Sequence, residues 1–267
     1  MTGPPATICS LRLTAGYTGQ APVLKDIALD IAEGETLGLV GESGSGKSTL
    51  ALALMRLLHL KGGTVTGKID FQGRDLLAMS EAGMRGIRGN RMAMVLQSPL
   101  ASLNPAMRLR RQLEEAWRIH ADPEGPSFEQ QIPELMSSVM LPNDGSLLHR
   151  YPRELSVGQA QRMLIAMAVM HRPALLIADE PTSALDIITQ REVLYLFSRL
   201  STQRNMALLF ISHDLPAVAT LCARMAIIRN GEIVECAPTK QILAAPQHEY
   251  TKQLLASVPK IDFATGR

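Results

Sequence analysis

This sequence is short of several things, and each shortage excludes something. Its 267 residues hold three cysteines, Cys9, Cys222 and Cys236. Three is an odd number and no pair has C-x-x-C spacing, so a disulfide scaffold and a cysteine metal centre are both excluded. Aromatic residues are 4% of the chain, with a single Trp, too few to interleave a basic face with stacking rings for nucleic acid. Charge nearly cancels, 27 basic against 25 acidic side chains for a net +2, which gives no field for a polyanion. The richest apolar run, Met163 to Met170, falls well below the ~18 residues of a membrane helix. The opening MTGPPATICS lacks the basic start and apolar middle of a secretory signal. Repeats and low-complexity tracts are absent. The chain therefore reads as a soluble protein of the reducing interior, unable to form a membrane path by itself. With 46% hydrophobic and 19% charged residues, it has the make-up of a globular protein of one or two domains, and disorder is excluded.

Strand-type segments open the chain, at Leu11 to Leu13 and Val23 to Ile31, followed by the buried-strand pattern Thr36 to Val40. A Gly-rich loop leads into a helical stretch, Ser48 to Leu60, which stops at Gly62-Gly63. Val65 to Phe71 and Met92 to Leu96 read as further strands. From about residue 98 to 156 the texture is helical, with helices expected over Leu109 to Ile119 and Glu129 to Leu141. Pro133 fits the second only in its first turn. After a helix over Val157 to His171, strands (174–178, 206–212, 225–229) alternate with helices (189–200, 215–223). Alternation of this kind predicts an α/β fold with parallel strands, whose ligand loops lie at the strands' carboxyl ends. The methionines around 163 to 170 have helical spacing and read as core filling.

Two patterns carry chemistry. Gly41-Glu42-Ser43-Gly44-Ser45-Gly46-Lys47-Ser48 fills every defined position of G-x-x-x-x-G-K-[ST], with Thr49 following. Glycines let successive N–H groups turn inward on phosphate oxygens, and the next helix aims its positive end at the same anion. Lys47 can then reach the β- and γ-phosphates, and the Ser48 hydroxyl can hold Mg²⁺. The loop implies ATP or a related triphosphate but does not choose between kinase, GTPase and ATPase. The second pattern is Leu175-Leu176-Ile177-Ala178-Asp179-Glu180, an apolar strand that ends in two carboxylates. Asp179 is placed for Mg²⁺ and Glu180 for polarising the attacking water.

Between these lies Leu155-Ser156-Val157-Gly158-Gln159, ending 20 residues before Asp179. It resembles the LSGGQ signature of ATP-binding cassette (ABC) ATPases, with Val157 in place of the first glycine. The resemblance implies a P-loop NTPase fold of the ABC type, with a β-rich N-terminal part and a helical subdomain. The expected division is one cassette over 1–267, with a catalytic core at 1–97 and 157–267 and a helical subdomain at about 98–156. It further implies that Ser156, Gly158 and Gln159 of one subunit cap the γ-phosphate held by another subunit's P-loop. Gln97 looks like the Q-loop residue that senses Mg²⁺ and water, Asp186 the D-loop aspartate and His213 the switch histidine. Tyr17 lies where the family stacks adenine.

Leu96 to Pro105 (LQSPLASLNP), Tyr151-Pro152 and His248 to Leu255 (HEYTKQLL) resemble the oligopeptide, dipeptide and nickel importer ATPases. That likeness runs from Tyr17 to Pro259 and implies two membrane permease subunits, a second ABC ATPase subunit, identical or paralogous, and an external binding protein as partners. It implies a peripheral location on the cytoplasmic face of the inner membrane, and cargo among peptides, nickel or metal chelates, and opines. A soluble ABC complex such as phosphonate C–P lyase shares much of the pattern. A nucleic-acid ATPase would explain the arginines at 85, 88, 91, 108, 110 and 111, but without interleaved aromatics these read as a solvated face.

Overall fold

The computed structural model describes residues 6–257, so the end of the likeness at Pro259 lies outside them. In chain order the first elements are β1 (Thr7–Tyr17), β2 (Leu24–Ala32), β3 (Thr36–Val40) and α1 (Lys47–Leu54). They are followed by β4 (Gly63–Phe71), β5 (Arg74–Asp75), α2 (Glu81–Ile87) and β6 (Met92–Val95). The helical span holds α3 (Pro99–Ser102), α4 (Leu109–Arg118) and α5 (Phe128–Ser138). Next come α6 (Val157–Val169), β7 (Leu175–Asp179), α7 (Ile187–Arg204), β8 (Ala207–Ser212) and α8 (Leu215–Leu221). The chain closes with β9 (Arg224–Arg229), β10 (Glu232–Pro238), α9 (Thr239–Ala244) and α10 (Glu249–Ser257).

These elements form two sheets. Strands β2, β1, β4 and β5 make an antiparallel sheet in that order. The second sheet runs β10-β9-β3-β8-β7-β6, parallel except for the antiparallel edge strand β10. Parallel strands are buried on both faces, and β7 shows the consequence. Leu175 and Ile177 face a core shared with α1 and the antiparallel sheet. Leu176 and Ala178 face the other core, which takes in Leu109, Leu113 and Leu135 of the helical span and Met163 of α6. Period-2 alternation thus joins the helical span to the sheet through one continuous apolar layer.

Two expectations from sequence are corrected. Helix α1 ends at Leu54 instead of Leu60. Arg56 turns to φ 49°, and its guanidinium donates to the Leu76 and Met79 carbonyls at 2.8 and 2.6 Å; a short 3₁₀ turn, Leu58–Lys61, follows. No glycine marks that break, so helical composition ran on past it. Pro133 lies inside α5, beyond its first turn. Burial of Ile132, Leu135 and Met136 holds the helix despite the N–H that proline removes. The methionine expectation stands: Met163 is fully buried and Met170 nearly so. Of the cysteines, Cys9 and Cys222 are buried and Cys236 is exposed; burial pushes the Cys9 thiol up to about 12.

Candidate functional site

Four parallel strands deliver their loops to one edge. The carboxyl end of β3 leads into Gly41, that of β6 to Gln97, that of β7 to Asp179 and Glu180, and that of β8 to His213. Register places Val40 beside Ser212 and Asp179 beside Ile211, so the loops emerge side by side.

The phosphate loop starts the short helix α1 through Gly46, whose φ of 106° no L side chain adopts readily, and whose added Cβ would lie 2.6 Å from Leu24 Cδ2. Gly46 offers no side-chain cap, so the first amides of α1 stay open to an anion. Lys47 is 5% exposed and its Nζ donates to the Gly41 and Glu42 carbonyls at 2.8 and 2.9 Å. Burial lowers its pKa against the pull of Glu180, Asp179 and Glu42. Burial likewise raises the Asp179 carboxyl, opposed by the Ser48 hydroxyl and reinforced by Glu180. Both shifts point toward neutrality, because burial outweighs the pairing. Ser45 Oγ and Asp179 Oδ1 are buried without a partner among the described residues. A cation at Asp179 and a polyanion beside Lys47 would relieve both shifts, so the donor set fits a magnesium nucleotide.

Glu180 closes the far side. Its Oε2 accepts from Gln97 Nε2 at 3.1 Å and lies 3.1 Å from His213 Nδ1. Its backbone has φ 46°, held by Glu180 N–H donating to Ile211 O at 2.9 Å and Ser183 Oγ donating to Glu180 O at 3.1 Å. A non-glycine residue kept in this region signals a constrained position. The cleft is lined by Val23, Ser43, Gly44, Lys47, Ser48, Thr49, Gln97 and Glu180, together with Gly46.

The structure leaves other predicted residues outside this cleft. Ser156, Gly158 and Gln159 do not line it. They begin α6, where Ser156 Oγ accepts the Gln159 N–H at 3.2 Å and Gln159 Oε1 accepts the Ser156 N–H at 3.1 Å. Val157 stands at the first helical position, 37% exposed, a place that needs no glycine. At Gly158 an added Cβ would sit 2.6 Å from Thr189 Cγ2, so a larger residue there forces Thr189 to shift. Thr189 is in turn held by Asp186, which caps α7 and accepts from Thr189 Oγ1 at 2.7 Å. Tyr17 pairs with Gly63 at the end of β1 and packs half-buried on the core; the cleft is lined from that edge by Val23.

The ABC transporter family model matches residues 24–183. The chain belongs to the ABC transporter family. A second family model, the oligopeptide/dipeptide transporter C-terminal region, matches this ABC chain over residues 234–267. Among curated relatives, the peptidoglycan transport ATP-binding protein YejF of Agrobacterium fabrum is 41% identical over 261 residues, covering 97% of this chain and 48% of the relative. The glutathione import ATP-binding protein GsiA of Escherichia coli O157:H7 is 42% identical over 249 residues, covering 91% and 40%. The chain thus spans less than half the length of either. Among solved structures, the ABC cassette MJ0796 in a dimeric, post-hydrolysis state bound to ADP and Pi superimposes with a TM-score of 0.73 at 24% identity, covering 86% of this chain and 98% of that one. Clostridium perfringens cbiO1, part of the ABC transporter complex cbiONQ, gives 0.76 at 22% identity, covering 90% and 92%. These likenesses establish the ABC cassette fold.

Proposed function

We propose that this chain binds and hydrolyses ATP to drive a membrane importer of peptide-like solutes. The observation that carries the reading is the shared Glu180 Oε2, bonded to Gln97 and facing His213 at the open end of the phosphate loop. In this reading the nucleotide lies on Gly41 to Thr49, with Lys47 on its β- and γ-phosphates. Ser48, Asp179 and Gln97 hold Mg²⁺, which neutralises phosphate charge when bound. Glu180 takes the proton of the attacking water, Gln97 orients its carboxylate, and His213 contacts the γ-phosphate. The adenine stacks on Tyr17 or beside Val23. The cassette's catalytic core covers 1–97 and 157–267, with the helical subdomain at about 98–156.

Partners follow from the same reading: a second ATPase subunit that brings Ser156, Gly158, Gln159 and Asp186 to this chain's nucleotide, two permease subunits, and through them an external binding protein. No helix among the described residues is long and apolar enough to cross a membrane; the reading puts the chain peripherally on the cytoplasmic face, beside the permease. The names of the two relatives and the oligopeptide/dipeptide C-terminal match favour peptide-like cargo over nickel chelates or opines, and an importer over a soluble complex. Glu180→Gln tests the chemistry, because it keeps size and a hydrogen-bonding oxygen but removes the base. Phosphate release should fall by about 10²–10⁴-fold while MgATP binding persists; turnover within about threefold of the parent contradicts the assignment.

A further inference from the structure

The C-terminal segment reaches back to the phosphate loop at one atom. Tyr250, the second residue of α10, is 2% exposed, and its phenol oxygen accepts the Glu42 N–H at 3.2 Å across 208 positions of sequence. The ring lies under Arg229, whose Cζ is 4.6 Å from its centroid. The turn that delivers it is pinned to β10, where Glu235 accepts the Gln247 and His248 N–H groups at 3.0 Å each. His248 Nδ1 then accepts the Tyr250 N–H at 3.1 Å.

Glu42 is the second residue of the phosphate loop, and its peptide units connect the loop's working parts. Its carbonyl accepts Lys47 Nζ at 2.9 Å and the Ser45 N–H at 3.2 Å. Tyr250 therefore grips one side of the residue whose other side carries Lys47. Packing alone does not call for a phenol here, since a phenyl ring would fill the same space and stack on Arg229 equally well. Among the described residues, the hydroxyl is what gives the Glu42 N–H an acceptor. Burial raises the phenol's pKa, which keeps it neutral.

We infer that Tyr250 is a positioning residue of the nucleotide site, fixing the first turn of the phosphate loop and, through Glu42, the resting place of Lys47. The inference rests on the functional reading above. It makes the C-terminal region a clamp on the loop, so that movement of α10 loosens the grip on nucleotide.

The test is Tyr250→Phe in the 267-residue chain, which keeps the ring and removes the acceptor. Loss of one net hydrogen bond corresponds to about a 2- to 10-fold change in an equilibrium. Amide hydrogen exchange of peptides covering Gly41 to Ser48, measured without nucleotide, should quicken by about that factor, while peptides from β7, β8 and α10 keep their parental rates. The KM for MgATP should rise by the same factor with kcat within about twofold. Unchanged loop exchange, or acceleration spread evenly over the sheet, overturns the inference, and so does an unchanged KM. A parent chain that neither binds nor hydrolyses MgATP sinks the functional reading, and the inference about nucleotide grip with it. The nucleotide-free exchange tells that failure apart from loss of the contact itself.

Discussion

The phosphate loop and the signature both begin a helix, yet they meet the amides there in opposite ways. At α1 the N-cap is Gly46, left-handed and without a capping side chain, so the amides are left for a ligand. At α6 the Ser156 hydroxyl and the Gln159 side chain satisfy each other's backbone amides in a capping box. A hydroxyl that accepts a bond from nitrogen still has its own proton to donate. One region is thus a cradle awaiting an anion, and the other a finished helix start with one hydrogen to offer. Each lacks what the other has, and within one chain the signature does not line the cleft. On the proposed reading, two chains complete each other.

Breaking the cradle should have the largest effect. Lys47→Ala removes the ammonium that rests on the Gly41 and Glu42 carbonyls, and phosphate release should fall by at least about 10²–10³-fold, to background. Near-parental turnover would remove the phosphate-loop assignment. If the signature acts across two chains as proposed, breaking it should stop turnover as well, but with binding spared: Ser156→Arg would obstruct the nucleotide held by the other chain while leaving this chain's own cleft untouched. Equilibrium binding of MgATP to the isolated variant should stay within about twofold of the parent, less than half a kcal/mol. A matching loss of binding would place the signature in its own chain's cleft.

Smaller effects sharpen the contrast. Gly158→Ala sets a methyl against Thr189 Cγ2 and should cost about 1–3 kcal/mol of stability. Thr189→Ser deletes that methyl while keeping the hydroxyl bonded to Asp186, so the double variant should recover most of the loss in a thermal melt. No recovery would mean that Gly158 is required for another reason. Asp179→Asn should move stability the other way. The Asp179 carboxyl titrates above its ordinary 3.8 in the folded chain, so the folded state holds this proton more tightly than the unfolded one. As pH rises from 3.8 through the raised value, the ligand-free chain loses stability at this site. Replacement by Asn should flatten that loss and raise the nucleotide-free melting temperature at pH 7, each kcal/mol appearing as about 2–4 °C. A lower melting temperature would show that the pull on Lys47 outweighs the burial cost.

The cradle was far more legible in the sequence than the clamp behind it. Gly41 to Ser48, the β7 carboxylates, Gln97 and His213 each follow an apolar strand, and parallel strands bring their carboxyl ends to one edge. Element order was readable for the same reason. What escaped was set by contacts between distant residues. Arg56 breaks α1 by reaching Leu76 and Met79, and nothing in Met55-Arg56-Leu57 announces it. The left-handed Glu180 and the close approach of Gly158 to Thr189 depend on neighbours that no local pattern encodes. Tyr250, the second residue of α10, was visible only as part of the HEYTKQLL likeness, and its role was not, because its partner is a backbone amide 208 residues away. Tyr17, named by likeness alone, lies at the end of β1 half-buried on the core, where no local pattern would have singled it out.

The most direct test of completion across two chains is the mass of Glu180→Gln in MgATP by light scattering, alone and with Ser156→Arg added. If the second subunit is a copy of this chain, the single variant should run at about 58 kDa, two chains of 29.0 kDa, because on the proposed reading unhydrolysed nucleotide holds the pair closed. The double variant should bind MgATP as well as the single one and run at 29.0 kDa. A double variant that still runs as a dimer in MgATP would contradict the account.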